Sequence, residues 1–170
     1  MDPDTLELAR YIFELVRKGD AQTLAPVFKK GFPAILRNDK GDSLLMLASY
    51  HGHFDVAKLL LEHGADTETC NDNGQTPIAG AAYKGDLPMV RLLLEHGAHV
   101  EGMAPDGKTA LMFAAMFNRT EVVSLLLAHG ANRAARNSKD MTALDLANAM
   151  GAADTAAQLA DACPIASASE

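Results

Sequence analysis

The chain has 170 residues, with 22 acidic side chains against 15 Lys and Arg, a net charge of −7 and a pI near 5.3. That is one domain's worth of sequence, and it lacks the basic face that binding to a nucleic-acid backbone requires. No apolar run reaches the ~18 residues of a membrane span, and the N-terminal stretch MDPDTLELARYIF carries acids where an export signal carries bases, so the expectation is a cytoplasmic protein with neither a nucleic acid nor a membrane as partner.

The first predicted helix runs from about Asp4 to Lys18. Asp2, Asp4 and Glu7 near its start suit the positive end of a helix dipole. In its partner Pro26 falls mid-helix, which predicts a kink or a late start. Residues 5–37 keep Gly19 and Gly31 in the frame described next, but lack a finger, and are read as a degenerate first repeat.

From residue 38 a 33-residue period takes over. Gly41, Gly74 and Gly107 form one series; Gly52, Gly85 and Gly151 continue the series of Gly19; Gly64, Gly97 and Gly130 continue that of Gly31. Asn118 and Asp140 stand where the period predicts glycine, and both residue types tolerate the left-handed backbone. A fixed period of this length means one supersecondary unit copied along the chain. The copies are read as 38–70, 71–103, 104–136 and 137–163, followed by an aperiodic tail at 164–170.

The copy Asn71–Met103 gives the logic of the unit. Thr76 caps a first helix, Pro77 takes its first position, and Ile78, Ala81 and Ala82 recur at helical spacing as a packed face. Gly85 ends that helix. Asp86 caps a second, with Pro88 tolerated in its first turn and Met89, Val90, Leu92, Leu93 and Leu94 as its core. Gly97 ends it, and Ala98–Gly107 is predicted to be a turn or β-hairpin finger bent at Gly107. One such pair of short helices cannot bury its own apolar face, so stacked neighbours supply the core. In the last copy Asn148, Thr155, Gln158 and Ala160 replace core residues, as expected of a terminal unit with one face to water. Cys70 and Cys163 fall in well-separated repeats, too far apart for a disulfide, and two free thiols fit a reducing compartment.

The helix starts read Ser43-Leu44-Leu45-Met46-Leu47-Ala48, Thr76-Pro77-Ile78-Ala79-Gly80-Ala81, Thr109-Ala110-Leu111-Met112-Phe113-Ala114 and Thr142-Ala143-Leu144-Asp145-Leu146-Ala147, and L-L-L-x-H-G-A endings recur at Leu59–Ala65, Leu92–Ala98 and Leu125–Ala131. Through these the chain resembles the ankyrin-repeat family over nearly its whole length. The resemblance implies an all-α solenoid of stacked helix pairs with β-hairpin fingers, about five repeats in a single domain at 1–163. It departs where Met46, Ala79, Met112 and Asp145 replace the histidine that usually follows the Leu of the helix start.

No residue pattern supports catalysis. His51-Gly52-His53-Phe54-Asp55 has the look of a metallohydrolase H-x-H-x-D, but Gly52 and His53 occupy the turn between helices, and the further ligands such a site needs are missing. His63, His96 and His129 repeat in register, yet successive copies lie a helix spacing of about 8–10 Å apart, too far for one ion with bonds of about 2 Å. They are read as side chains meeting the free carbonyls of the last helical turn. No cofactor is expected.

What remains is surface. The resemblance implies that partners meet the finger tips and the exposed side of the first helices. The tips are Asp39, Lys40 and Asp42; Asp72, Asn73 and Gln75; Pro105, Asp106 and Lys108; and Ser138, Lys139 and Met141. On the helices the positions are Tyr50, His51, Tyr83, Lys84, Met116, Phe117, Ala149 and Met150. Met46 and Met112, four residues before Tyr50 and Met116, share their face. The expected partner-binding set is Tyr50, His51, Gln75, Tyr83, Lys84, Lys108, Met112, Met116, Phe117, Met141 and Met150, with Met46 and Met112 also fitting a role in packing between repeats. The function read from this is a monomeric module binding another protein through a concave groove. Two alternatives share the same residues: a stoichiometric inhibitor of a target enzyme, and a metal-dependent hydrolase using His51 and His53.

Overall fold

The computed structural model of the protein describes the backbone of residues 3–161 and the side chains of residues 5–161. Cys163, the 164–170 tail, Asp2 and the side chain of Asp4 lie outside what is described. Among the described residues ten helices follow one another in pairs: α1 (Pro3–Lys18) with α2 (Ala21–Lys29), α3 (Leu44–His51) with α4 (Phe54–Glu62), α5 (Pro77–Lys84) with α6 (Leu87–Glu95), α7 (Ala110–Met116) with α8 (Thr120–Ala128), and α9 (Ala143–Met150) with α10 (Ala153–Asp161). Odd-numbered helices stack on odd, and even on even. The odd layer is the more closely packed, so the stack curves with the odd helices on its inner, concave side.

Two residue series, each spaced by the repeat, run through the core. Ile12, Leu45, Ile78 and Leu111 line the odd layer and are fully buried. Leu60, Leu93, Leu126 and Leu159 do the same for the even layer. Each contributes about 1.5–3 kcal/mol by leaving water. Ile12 sits in frame with the other three, so the first pair is a true copy despite its different sequence.

The helix ends are set by local chemistry. Ser43, Thr76, Thr109 and Thr142 each accept a hydrogen bond from the backbone N–H three residues on, at 3.0, 3.3, 3.3 and 3.2 Å, satisfying one of the free donors of a helix start. At the last of these Asp145 returns a bond to the N–H of Thr142, closing a capping box. This is the use of the residue that replaces the usual histidine. Pro26 produces no late start: α2 begins at Ala21, directly after the Asp20 cap. The ring removes one donor, to the carbonyl of Gln22, an exposed residue.

The fingers differ from the expected β-hairpins. Among the described residues they are turns, with isolated antiparallel bridges at Arg37–Ser43 and Met103–Thr109 in place of strands. Each is closed by two backbone bonds, as from Asn71 N–H to Gln75 O at 3.1 Å and from Gly74 N–H to Asn71 O at 2.8 Å. The Asn71 side chain accepts from the N–H groups of Asn73 and Gln75, and Asn38 and Asn137 act alike in their own fingers. Asn side chains folded onto the backbone in this way do the work a strand ladder would do. Successive fingers touch: Asp72 N–H donates to Lys40 O at 3.1 Å, and Ser138 N–H to Asp106 O at 2.9 Å.

Asn118 and Asp140 have φ of 57° and 60°, the left-handed conformation read for them from the period. At Asn118 the side chain explains why glycine is absent. Its Oδ1 accepts from the N–H of Thr155 at 3.0 Å and its Nδ2 donates to Asp154 at 2.7 Å, so it caps α10 from the preceding repeat. Thr155 itself is fully buried, and its hydroxyl donates to Ala115 O at 2.7 Å. The expectation that Thr155 faces water is therefore corrected: it is polar because it seals the last two repeats. Asn118→Gly, which restores the residue of the series, is expected to lower stability by about 1 kcal/mol, since it removes the acceptor of the Thr155 N–H at the helix start and the amide that donates to Asp154. A midpoint in denaturant at or above that of the unaltered protein would reject this account.

Candidate functional site

On the concave side the odd helices and the bases of the first three fingers border an open cavity of about 600 Å³. Its lining is organised in rows set by the repeat. At the finger bases lie Asp42, Asn71, Gln75 and Lys108; on the floor Met46, Leu47, Ala79, Gly80 and Phe113; at the helix ends Tyr50, His51, Tyr83, Met116 and Phe117.

The helix-end aromatics are held apart from the core yet ordered by contact. Tyr50 and Tyr83 are 49% and 40% exposed, large apolar surfaces with no packing role that demands them. The Tyr83 and Phe117 rings meet edge to face, with centroids 4.5 Å apart at 72°, a favoured aromatic geometry. Lys84 Nζ stands 4.3 Å over the Tyr50 ring, a cation–π contact. At the finger bases the Asn71 amide donates to Asp42 at 3.0 Å and to Gln75 at 3.1 Å, tying two neighbouring fingers together. Lys108 is paired with Asp106, and that hydrogen bond is the main reason the Asp106 carboxyl lies below the usual carboxylate range.

Of the residues expected to bind a partner, Tyr50, His51, Gln75, Tyr83, Lys108, Met116 and Phe117 line this one cavity. Lys84 reaches it through Tyr50. Met112 does not: it is 1% exposed and lies in the core, because the position four residues before Met116 faces the neighbouring repeat. Met141 is half-buried against the core. Met150 is 53% exposed at the end of α9 and outside the cavity. Sequence reasoning missed Leu47, Ala79, Gly80 and Phe113. The signal was present in the repeat alignment, where Gly80 interrupts a series otherwise made of Leu47, Phe113 and Leu146.

The model for a family described as ankyrin repeats matches residues 12–104 and 99–167. This chain belongs to the ankyrin-repeat family. A Pseudomonas aeruginosa protein whose name describes it as an ankyrin repeat protein is 54% identical over 59 residues, 35% of this chain and 34% of that protein. The matched segment thus spans about a third of the length of each. Ankyrin repeats are generally protein–protein interaction modules and are typically non-enzymatic. No helix among the described residues is long and apolar enough to cross a membrane.

Five of the six histidines of this ankyrin-repeat protein fall into two kinds. His63, His96 and His129 each place Nδ1 2.8, 2.9 and 2.9 Å from the carbonyl four residues back, so each ring donates to a carbonyl in the last turn of its helix, the role read from the sequence. His51 and His53 stack with centroids 5.8 Å apart. His53 spends its Nε2 on Arg17 O at 2.8 Å, and Arg17 and Lys84 put positive charge beside His51. Burial first, and then His53, Arg17 and Lys84, push the His51 imidazole below its ordinary value. That field repels a divalent cation, and no cluster of three or more His, Cys, Asp or Glu of metal-binding geometry occurs among the described residues. Purified protein is expected to carry no stoichiometric zinc by elemental analysis, and a chelator to leave its melting curve in place. An ion lost on combining His51→Ala with His53→Ala would overturn this.

Proposed function

We propose that the protein binds a partner protein in the concave groove, with Tyr50, Tyr83, Met116 and Phe117 as the apolar contact and the finger bases as its polar edge. The observation that carries this reading is the gathering of these four side chains from three successive repeats around one cavity, with both tyrosines about half exposed. Aromatic and Met side chains are the residues enriched at interface cores, and a continuous exposed apolar surface of this kind marks binding. The helices and fingers that present them are already ordered, so docking forfeits little conformational freedom. The protein acts as a monomer in the cytoplasm, and neither nucleic acid nor membrane is its target.

The test is parallel capture from the native cell. Bait protein, a Tyr83→Ala/Phe117→Ala variant and a Glu62→Ala/Glu95→Ala variant are used side by side. A protein retained by the first and third baits but not the second supports the groove. Retention by the second but not the third would move the interface to the convex back. Inhibition of an enzyme is the same docking with a different consequence, and an activity assay on the captured protein separates it from scaffolding.

A further inference from the structure

The third repeat is short of side chains where its neighbours are large. In the row Leu47, Gly80, Phe113, Leu146, and in the adjoining row Met46, Ala79, Met112, Asp145, the third repeat alone pairs Ala with Gly. A Cβ at Gly80 would find nothing within 4 Å. Gly80 is also absent from the residues with positive φ, so the backbone does not demand glycine there. Glycine inside a helix costs stability relative to alanine, and here nothing in the packing returns that cost. What glycine leaves is a notch in the groove floor, walled by Leu47 on one side and Phe113 and Met116 on the other.

The lip of the notch at the helix ends is basic, although the chain as a whole carries −7. Lys84 lies over Tyr50, and His51 lines the cavity beside it with its ring stacked on His53. Among the described residues the ion pairs are Lys108–Asp106 and Arg136–Asp140, so Lys84 has no carboxylate partner. The nearby acids are engaged elsewhere: Asp20 accepts from Thr23 N–H and Asp86 from Met89 N–H as helix caps.

We propose that the notch over Ala79 and Gly80 is an anchor subsite for one large apolar side chain, Leu, Met or Phe, on a peptide segment of another protein, and that an acidic residue beside that anchor lies against Lys84 and His51. This rests on the groove reading above and names what the groove selects. The apolar walls fix the anchor, because a polar side chain there would lose water without gaining a partner. The unpaired Lys84 ammonium fixes the neighbour's charge, since electrostatic complementarity sets register and excludes wrong partners. A segment of peptide rather than a compact ligand fits because the notch is a local widening of a groove whose polar edge, Asn71 and Gln75, runs past it.

The probes are acetylated nine-residue peptides with Leu, Met, Phe, Ala or Lys at the centre and Glu, Ser or Lys on either side. Binding is read by fluorescence anisotropy and by the backbone amide shifts of Gly80 and Tyr83. Glu-flanked peptides with an apolar centre are expected to bind, and central Ala or Lys flanks to weaken them about tenfold or more, the effect of losing one well-packed anchor. Gly80→Leu, which fills the notch as Leu47 does one repeat earlier, is expected to weaken the best peptide at least about tenfold while its melting temperature holds or rises. Gly80→Ala is the second variant, and is expected to keep Leu and Met centres while losing preference for Phe. Lys84→Glu is expected to turn the flank preference from Glu to Lys. If both Gly80 variants bind as the parent does while Tyr83→Ala binds more weakly, the notch is wrong and the groove stands. If no peptide moves either amide, or neither Gly80→Leu nor Tyr83→Ala alters binding, both readings fail. Preference for Lys-flanked peptides, or binding of N-acetyl-leucine as tight as that of the best peptide, also overturns the proposal.

Discussion

Gly74→Val is expected to lower stability by about 2–5 kcal/mol, a fall of roughly 10 °C in thermal midpoint for a chain of this size. Two independent costs combine. Gly74 has φ +70°, in the left-handed region where a side chain on an L-residue costs about 1–2 kcal/mol and a β-branched one is worst placed. Its Cβ would also stand 2.1 Å from the Cδ and Cγ of Pro105 in the next finger, with the Pro105 backbone nitrogen at 3.3 Å, so the two fingers must separate, an overpacking cost of about 1–3 kcal/mol. Gly97→Val separates the two contributions. Gly97 has φ +87° but open space beyond its Cβ, so only the first cost applies and the loss should be about 1–2 kcal/mol. Lys84→Ala, on an exposed helix end, is expected to stay within about 0.5 kcal/mol of the parent. Equal midpoints for the two valine variants would show that contact between fingers contributes nothing, and equality of all three would remove the turn geometry itself.

Tyr83→Ala and Phe117→Ala should each weaken binding of the captured partner by about 1–4 kcal/mol, roughly 5- to 1000-fold in Kd. Each ring supports the other edge to face at 4.5 Å, so the double variant should lose less than the sum of the singles. The folded state should lose little, about 1 kcal/mol or less, because Tyr83 keeps 40% of its surface in water already. Calorimetric titration beside thermal melts measures both quantities on the same samples. The Glu62→Ala/Glu95→Ala pair, exposed at the ends of α4 and α6 on the even layer, should change affinity only through long-range charge and should do so less as salt is raised. A melt shift as large as the binding loss would mean that Tyr83 and Phe117 hold the repeats together rather than a partner.

The architecture was legible because a repeat protein states its contacts locally. Thr76, Pro77, Gly85 and Asp86 each act within a turn of their own position, and the fixed period carries each decision to the next copy. The caps, the left-handed Asn118 and Asp140, and the carbonyl-bound His63, His96 and His129 are all of this kind. The expected fingers were read too regularly, since strands need a ladder of paired residues and Asn71 supplies a two-bond turn instead.

That several of the expected residues line one cavity was legible in outline for the same reason. Positions 50, 83 and 116 must share a face if the repeats stack, and the structure brings them together around one cavity. The residues that went astray depend on what lies across an interface. Met112 and Met46 occupy equivalent positions, yet Met112 is sealed in the core and Met46 lines the cavity. Thr155 looked like the polar face of a terminal unit until Ala115 O and Asn118 were found opposite it. The notch at Gly80 is an absence of atoms between Leu47 and Phe113, and an absence has a shape only when its walls are in place. The sequence by itself determined the repeat, its helix pairs and the concave row of large side chains, because these follow from bonds within a few residues. Which of those side chains stay open to a partner was decided by the tertiary stack, because burial is a property of two surfaces and only one of them is written at any position.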